Sequence, residues 1–476
     1  MVKAEKNSSG LKLNYKRTFL IGFAFFGILL LWQVYDSWCP TFLTEILTDK
    51  MGVTDELEIQ WLVGIIMACD NLAALILLPI FGSLSDKTKT PIGKRMPFIL
   101  VGTFVAAIAF PFIPFFFHHS NVAGMVVTMG IVLIFMMMYR NPAVSLMPDI
   151  TPKPLRAKAN GIINIMGYLG GAFATVMGLI GFLKIKNYMD PLSKYYNNFW
   201  TVEIPFIVAS ILMIISAMVL FFTVKENKLA EEMKEDMERG EEMAAVADKI
   251  DDDKPMSKAN RIMLWGILIA EFLWFMADNA LGTYLNNYVI YFLGADSGKT
   301  SLIVIIGGVA SVAGFATAGF IADKIGRKWT IVSGLAITFV GLFMMMFIKQ
   351  SPETYINNAG SLCHEFPPLL FAIAAFRGLG MALVHNCSFP MVVELCSSKK
   401  IGKFTGFYYA ASMSAQTVTP ILLGLIFKAT KAWEALPVYA CILIACSCIV
   451  FTLLVKNIKA HKVKNAKGIE ALGDDD

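Results

Sequence analysis

Twelve long apolar runs constrain this chain more than any other feature of its sequence. They occupy about residues 18–38, 60–83, 97–117, 122–147, 159–183 and 202–224, then 262–292, 300–322, 329–348, 367–394, 403–427 and 433–455. A helix needs about 20 apolar residues to cross the hydrocarbon core of a bilayer. The sequence therefore predicts an all-α integral membrane protein with twelve transmembrane helices in two six-helix bundles.

The composition agrees with this fold class and excludes several others. Of the 476 residues, 56% are hydrophobic and only 16% are charged, and the mean hydropathy is +0.62. Soluble proteins average about 45–50% apolar and about 25% charged residues. The shortfall in charge excludes an ordinary cytosolic enzyme, a nucleic-acid-binding protein and a disordered chain.

A charged segment separates the two sets of runs. Residues 225–261 hold twelve acidic and eight basic side chains, which is typical of a solvated, partly helical linker, with a regulatory or docking segment as the alternative. The predicted organisation has five parts: an N-terminal tail (1–17), a first bundle (18–224), the linker (225–261), a second bundle (262–456) and a C-terminal tail (457–476).

The distribution of Lys and Arg predicts the orientation. The N-terminus, the even-numbered loops, the linker and the C-terminus together hold 31 of these residues, and the alternate loops hold 8. Cationic loops resist translocation and stay in the cytoplasm. We therefore expect a multi-pass protein of the plasma membrane with both termini in the cytoplasm.

Internal repeats relate the two halves. Three pairs of segments match at offsets of 242, 237 and 245 residues: 32–43 with 274–285, 82–95 with 319–328, and 149–161 with 394–406. Trp32 aligns with Trp274, and Asp36 aligns with Asp278. Parallel six-helix repeats are the architecture of a carrier that binds its substrate between the halves, near the middle of the membrane.

Ionisable groups inside the predicted spans mark candidate sites, because each costs about 2.5–3.5 kcal/mol on insertion scales. Glu271, Trp274 and Asp278 lie at i, i+3 and i+7 and so share one helix face, as do Trp32 and Asp36. A polar cavity is the expected role, and a buried structural ion pair is the alternative. The candidate substrate-binding or coupling residues are Trp32, Asp36, Asp70, Arg140, Asn141, Glu271, Trp274, Asp278, Arg377 and His385.

The chemistry of these groups suits a sugar, because its C–H face stacks on an aromatic ring while its hydroxyls bind carboxylates and amides. For Asp70, helix packing beside Asn71 is the alternative, and for His385 a satisfied polar core position. The sequence predicts no catalytic residue, metal site or cofactor.

One loop carries a family resemblance. The pattern G-x-L-S-D-K-x-x-x-x-x-G-K-R at 82–95 and its shorter counterpart G-x-x-A-D-K-x-G-R-K at 319–328 resemble the signature loop of the major facilitator superfamily. Around the third to fifth spans the chain resembles the sucrose–proton and glycoside-pentoside-hexuronide cation symporters. The residues that carry this closer likeness are Pro97, Phe98, Ile99, Pro142, Leu146, Asp149, Arg156, Ala159 and Asn160.

This branch differs from the chain at one position. Plant sucrose carriers have a membrane arginine between the proline and the aspartate of the fourth helix, where this chain has Val144, and Arg140 lies about one turn earlier. The resemblance therefore implies a glycoside carrier without specifying sucrose.

The signature loop is predicted to act as a cytoplasmic gate. An acid there can accept hydrogen bonds from a helix N-terminus, and cations face the anionic leaflet. A topology signal alone is the alternative. The predicted gating residues are Asp86, Lys94, Arg95, Asp149, Arg156, Asp323, Arg327 and Glu394, with Asp149 and Arg156 as companion charges.

The resulting expectation is a secondary active transporter, not an enzyme, that imports a disaccharide or other glycoside with a proton or a sodium ion. Its expected partners are that small molecule, the ion and the lipid bilayer; we expect a monomer that binds no nucleic acid. Asp36 is the favoured coupling acid over Asp278, Glu271 and Asp70. An exporter or proton antiporter of another small solute is the alternative, and a membrane sensor is a weaker one.

The orientation can be tested directly. We expect a cysteine introduced by Ser257→Cys to react with an impermeant thiol reagent only after cells are permeabilised, because the linker lies in the cytoplasm. Labelling of this position from outside intact cells would show that the orientation is inverted.

Overall fold

A computed structural model of the protein describes residues 11–179, 199–250, 257–296, 298–356, 362–395 and 401–456. These residues are mostly helical. Their α-helices are α1 (Tyr15–Met51), α2 (Gln60–Lys87), α3 (Met96–Ala109), α4 (Phe112–His118), α5 (Val122–Asp149), α6 (Arg156–Leu179), α7 (Phe199–Thr223), α8 (Glu226–Glu232), α9 (Lys234–Ile250), α10 (Lys258–Asn287), α11 (Gly298–Ile325), α12 (Arg327–Met345), α13 (Leu369–Glu394), α14 (Ile401–Thr430) and α15 (Ala435–Leu454).

Short elements join some of these helices. Single 3-10 turns occupy Glu56–Glu58 and Lys153–Leu155, and a π-helical turn, Tyr288–Phe292, continues α10. Strands β1 (Thr354–Ile356) and β2 (Leu362–His364) form a small antiparallel hairpin between α12 and α13, with Thr354 opposite His364.

Within the described residues, eleven helical segments are long and apolar enough to cross a membrane. Such runs become helices because a helix satisfies all its backbone hydrogen bonds internally where no water is available. The predicted fifth span, 159–183, is helical as far as Leu179 and then leaves the described residues. The predicted tails fall largely outside them too, over 1–10 and 457–476.

The chain divides into two compact units. One comprises Met1–Tyr35, Ala73–Met177 and Val202–Asp251, and the other comprises Asp36–Leu72, Gly178–Thr201 and Asp252–Asp476. The second unit thus includes the C-terminal part of α1 and the N-terminal part of α2. The predicted division into two six-helix bundles rests on the internal repeats and stays a prediction.

In the first unit, α5 is the central packing element for α3 and α4. The close approach of α3 to α5 depends on Gly102, where a Cβ would lie 2.7 Å from the Phe135 carbonyl oxygen. The segment predicted as the linker is helical over α8 and α9. Helix α9 lies against the 3-10 turn Lys153–Leu155.

In the second unit, α13 packs against α11 and α12, and α10 packs against α14 and α15. Glycines let these helices approach closely, as small residues do between membrane helices. Gly378 of α13 contacts the backbone of Gly307 of α11, and a Cβ at Gly424 of α14 would lie 2.5 Å from the Gln60 carbonyl oxygen. Trp274 and Tyr284 are fully buried in the core that α10 forms.

Candidate functional site

An ion pair joins α10 to α13 inside two of the apolar spans. Arg377 Nε donates to Asp278 Oδ1 at 2.9 Å, and a terminal guanidinium nitrogen lies 2.6 Å from the same oxygen. The Asp278 side chain is 30% exposed and that of Arg377 is 32% exposed. The two predicted residues are therefore brought together, and both remain partly exposed.

Two further predicted residues lie on α10, one and two turns before Asp278, and are fully buried. Within the described part of the chain, the two carboxylate oxygens of Glu271 have no hydrogen-bond partner, and the indole nitrogen of Trp274 has none either. The Trp274 ring instead contacts Phe451 at a centroid distance of 6.3 Å. A carboxyl group is costly to bury without a hydrogen-bond partner.

His385 of α13 completes the polar group in the second unit. Its ring lies 5.2 Å from that of Phe275 and within electrostatic range of Asp278 and Arg377. One turn further along α13, Ser388 Oγ lies 2.8 Å from the Tyr408 hydroxyl oxygen, and Tyr408 is in turn within electrostatic range of Glu271. Polar side chains of α10, α13 and α14 thus lie in the same part of the second unit as the ion pair.

Two predicted acids of α1 and α2 lie in the second unit. Asp36 is exposed and Asp70 is buried, and both lie within electrostatic range of the Cys39 thiol. Asp70 Oδ1 accepts hydrogen bonds from the backbone and side-chain nitrogens of Asn71, at 2.5 Å and 2.8 Å. In the first unit, the half-buried Trp32 packs edge-on against Tyr35.

Asn141 has a structural contact in the first unit. Its Nδ2 donates to the Leu78 carbonyl oxygen at 2.5 Å, and the absence of a Cβ at Gly82 makes room for its amide. Asn141 therefore joins α5 to α2, while its neighbour Arg140 is half-buried on α5.

The predicted gating residues between α2 and α3 form a charge cluster in the first unit. Arg95 is 4% exposed, and its Nε donates to Asp149 Oδ2 at 2.8 Å. The Arg95 guanidinium also contacts the carboxylate of Asp86 and the hydroxyl of Ser85. Lys94 Nζ lies 3.0 Å from the same Asp149 oxygen. Arg95 thereby links the C-terminal ends of α2 and α5.

Arg156, predicted as a companion charge of Asp149, contacts backbone oxygens. Its guanidinium donates to the carbonyl oxygens of Thr151 at 3.1 Å and Pro148 at 2.9 Å. These carbonyls belong to the C-terminal end of α5 and the turn after it, where a cation is favoured by the helix dipole. Lys94 and Arg95 contact the Asp149 carboxylate instead, and Arg156 remains within electrostatic range of that carboxylate.

The corresponding residues of the second half are only partly described. Asp323 is exposed near the end of α11, and Arg327 is buried at the start of α12. Gly326 separates α11 from α12 with φ at +83°, a conformation that favours glycine. The side chain of Glu394 lies outside the described residues.

Sequence reasoning missed a polar network in the second unit. Thr41 Oγ1 donates to Asn287 Oδ1 at 2.7 Å, Asn287 Nδ2 donates to Thr44 Oγ1 at 3.0 Å, and Gln60 Nε2 donates to Thr44 Oγ1 at 3.2 Å. Asn286 Nδ2 also donates to Thr41 Oγ1 at 2.9 Å. The network joins the C-terminal ends of α1 and α10 to the start of α2. Adjacent amides inside an apolar run were the available signal.

Two further contacts lie in the second unit. Tyr291 donates to Glu45 at 2.7 Å, and Lys431 Nζ lies 2.6 Å from Glu58 Oε1. The Lys431 ammonium lowers the pKa of Glu58 through a hydrogen bond and charge attraction. The Glu58–Lys431 contact therefore persists at neutral pH and is lost as the pH falls through that lowered pKa.

Comparison with known proteins gives the family. A family model described as "MFS/sugar transport protein" matches residues 20–359, and one described as "Major Facilitator Superfamily" matches residues 267–473. One relative, described as "Uncharacterized MFS-type transporter YttB" from Bacillus subtilis (strain 168), is 34% identical over 160 residues. That alignment covers 33% of this chain and 34% of the relative.

Solved structures share the fold. The xylose transporter XylE from E. coli, in an inward open conformation, is 16% identical with a TM-score of 0.64, and the match covers 92% of this chain and 96% of that one. A bacterial homologue of the human lysosomal transporter Spinster is 12% identical with a TM-score of 0.62, and the match covers 92% of this chain and 96% of that one. A peptide transporter, POT, is 14% identical with a TM-score of 0.61, over 92% of this chain and 93% of that one.

These likenesses show the fold alone, whereas the first family model matches well over half of the chain. This chain therefore belongs to the major facilitator superfamily of transporters, within the family described as MFS/sugar transport protein, and is a multi-pass membrane protein with the all-α fold of that superfamily.

Proposed function

We propose that this protein imports a glycoside or another small sugar together with a proton or a sodium ion, by alternating access. The observation that carries the proposal is the Asp278–Arg377 pair, which lies inside apolar spans and in which about one-third of each side chain is exposed. Ionisable groups at such depth are rarely kept without a function. The family description and the fold shared with a xylose transporter support a sugar as the substrate.

The pair offers the contacts that a sugar needs. The Asp278 carboxylate accepts hydrogen bonds from hydroxyls, and the Arg377 guanidinium donates them in a planar fork. The His385 ring contacts that of Phe275 and is within electrostatic range of both charges. In the proposed site, hydroxyls of the sugar replace part of the Asp278–Arg377 contact, so that neither charge is left unpaired in the membrane.

Two polar clusters are proposed as the gates. With the orientation proposed from the Lys and Arg distribution, the Arg95 cluster lies at the cytoplasmic ends of the helices. The network of Thr41, Gln60 and Asn287 then lies at the outer ends. In this proposal, the outer network opens when the carrier faces outward, and it reforms behind a bound sugar.

The first prediction concerns the substrate pair. In proteoliposomes tested with a panel of labelled disaccharides and monosaccharides, Asp278→Asn and Arg377→Gln should each reduce uptake about 10- to 100-fold, because a charge-assisted hydrogen bond is worth about 1.5–3 kcal/mol. The exposed loop charge Lys349 provides the control, and Lys349→Gln should leave uptake unchanged.

The double variant separates binding from a structural role. Neutralising both partners removes the unpaired charge that each single variant leaves. A pair that only stabilises the fold would allow the double variant to transport normally, whereas a substrate site would keep it inactive. Efflux of the same compounds driven by an inward proton gradient would instead favour the exporter or antiporter.

The second prediction concerns the cytoplasmic gate. Asp86→Asn removes one carboxylate from Arg95 and should slow transport by shifting the conformational equilibrium. Substrate affinity in a trapped outward-facing state should stay close to that of the unmodified protein. Loss of affinity with an unchanged equilibrium would assign Asp86 to the binding site.

The third prediction concerns coupling. If Asp36 carries the coupling proton, Asp36→Asn should abolish accumulation against a gradient but spare exchange at equal concentrations, because exchange needs no net proton release. Glu271→Gln is the comparison, since Glu271 is a fully buried carboxyl group on α10. If Asp36→Asn still accumulates the sugar and Glu271→Gln does not, Glu271 is the coupling acid. If the sugar accumulates only under a sodium gradient, proton coupling at either acid is contradicted.

A further inference from the structure

The linker begins with a buried carboxylate. Glu226 is the first residue of α8, three residues after α7 ends, and it is 3% exposed, whereas its neighbours Lys225 and Asn227 are exposed. An acidic side chain at the start of a charged linker is expected to face water. Its burial therefore indicates a specific partner.

That partner is the N-terminus of α3. Glu226 Oε1 accepts hydrogen bonds from the backbone N–H groups of Lys94 at 3.0 Å and Arg95 at 3.1 Å. Oε2 accepts from Arg95 at 3.0 Å and from Met96 at 3.1 Å. The first N–H groups of a helix have no partner within the helix, and the N-cap residue here, Arg95, makes no capping bond with its side chain. Glu226 thus caps α3 from a different part of the chain.

Two neighbouring residues make this arrangement specific. Gly93 has φ at +120°, and a Cβ at this position would collide with the Glu226 carboxylate. Asn227 Nδ2 donates to the carbonyl oxygens of Thr90 at 2.9 Å and Pro91 at 3.0 Å. The first two residues of α8 therefore hold the whole turn between α2 and α3.

The same turn positions the central residue of the charge cluster. The Arg95 amide is fixed by Glu226, while the Arg95 guanidinium reaches Asp149 and Asp86. Movement of the Glu226 carboxylate would therefore move the start of α3 and change the reach of the guanidinium.

We propose that Glu226 is a positioning residue for the gate: it fixes the Arg95 backbone so that the guanidinium joins α2 to α5. It thereby makes the start of the linker part of the conformational switch. This inference rests on the proposed gating role of the loop, but not on the identity of the substrate.

The hydrogen bonds are tested first. Glu226→Gln keeps the shape of the side chain but places an NH₂ group where an oxygen now faces backbone donors. Hydrogen–deuterium exchange of the full-length protein in nanodiscs should show the amides of 94–96 exchanging at least about tenfold faster, as expected for the loss of charge-assisted bonds. Glu231→Gln is the matched control, because Glu231 is an exposed glutamate of the same helix.

The gating role is tested by spin labels on cysteines introduced by Lys87→Cys and Lys324→Cys, both at exposed positions near the ends of α2 and α11. The distance between the two labels should fall into two populations, one for each conformation of the carrier. Without any sugar, Glu226→Gln should change the ratio of these populations at least about threefold relative to Glu231→Gln. Faster exchange with an unchanged ratio would reduce Glu226 to a structural cap, and unchanged exchange would overturn the inference entirely.

Two other outcomes remain distinguishable. If Glu226→Gln does not fold, the same two measurements are made on Glu226→Asp. That variant keeps both oxygens but is one methylene shorter. If the unmodified protein transports no sugar but the populations still respond to Glu226→Gln, the proposed substrate is wrong and the positioning role stands.

Discussion

The hydrocarbon core of a bilayer offers no water to hydrogen-bond, and the rest of this structure follows from that constraint. Every backbone group in the core must find a partner inside the protein, which leaves the helix as the element for each apolar run. The constraint also governs irregularities within helices. Pro40 lies inside α1, and its carbonyl oxygen accepts a hydrogen bond from Thr44 Oγ1 at 2.8 Å. The same Thr44 then takes part in the network with Asn287 and Gln60.

Charges obey the same constraint with different outcomes at different places. Arg95 is almost completely buried, and two carboxylates surround it, as a buried cation requires. Arg377 contacts Asp278 through Nε and a terminal guanidinium nitrogen, and about one-third of each side chain remains exposed. The cation of the more buried group is thus shared by two carboxylates, whereas the more exposed pair joins one cation to one carboxylate.

Several features of the candidate site could be predicted from spacing alone. Glu271, Trp274 and Asp278 follow from helical periodicity, and the importance of Asp149 beside the signature loop follows from the family resemblance. The pairing of these residues could not be predicted. Arg156 is closer in sequence to Asp149 than Lys94 or Arg95 is, yet the last two contact the carboxylate, because α3 packs along α5 and brings its N-terminus to the end of α5.

The helical membrane architecture could be predicted from the sequence, because the hydrophobicity and length of each run are local properties and are enough to match the thickness of a bilayer. The sequence also determined which residues were too polar for their surroundings. The partners of those residues could be seen only in the folded protein. Glu226 reads as one more acid in a charged linker, and its role depends on three N–H groups about 130 residues earlier in the chain. Such partnerships depend on which helix ends meet in space, and no periodicity along the chain encodes that.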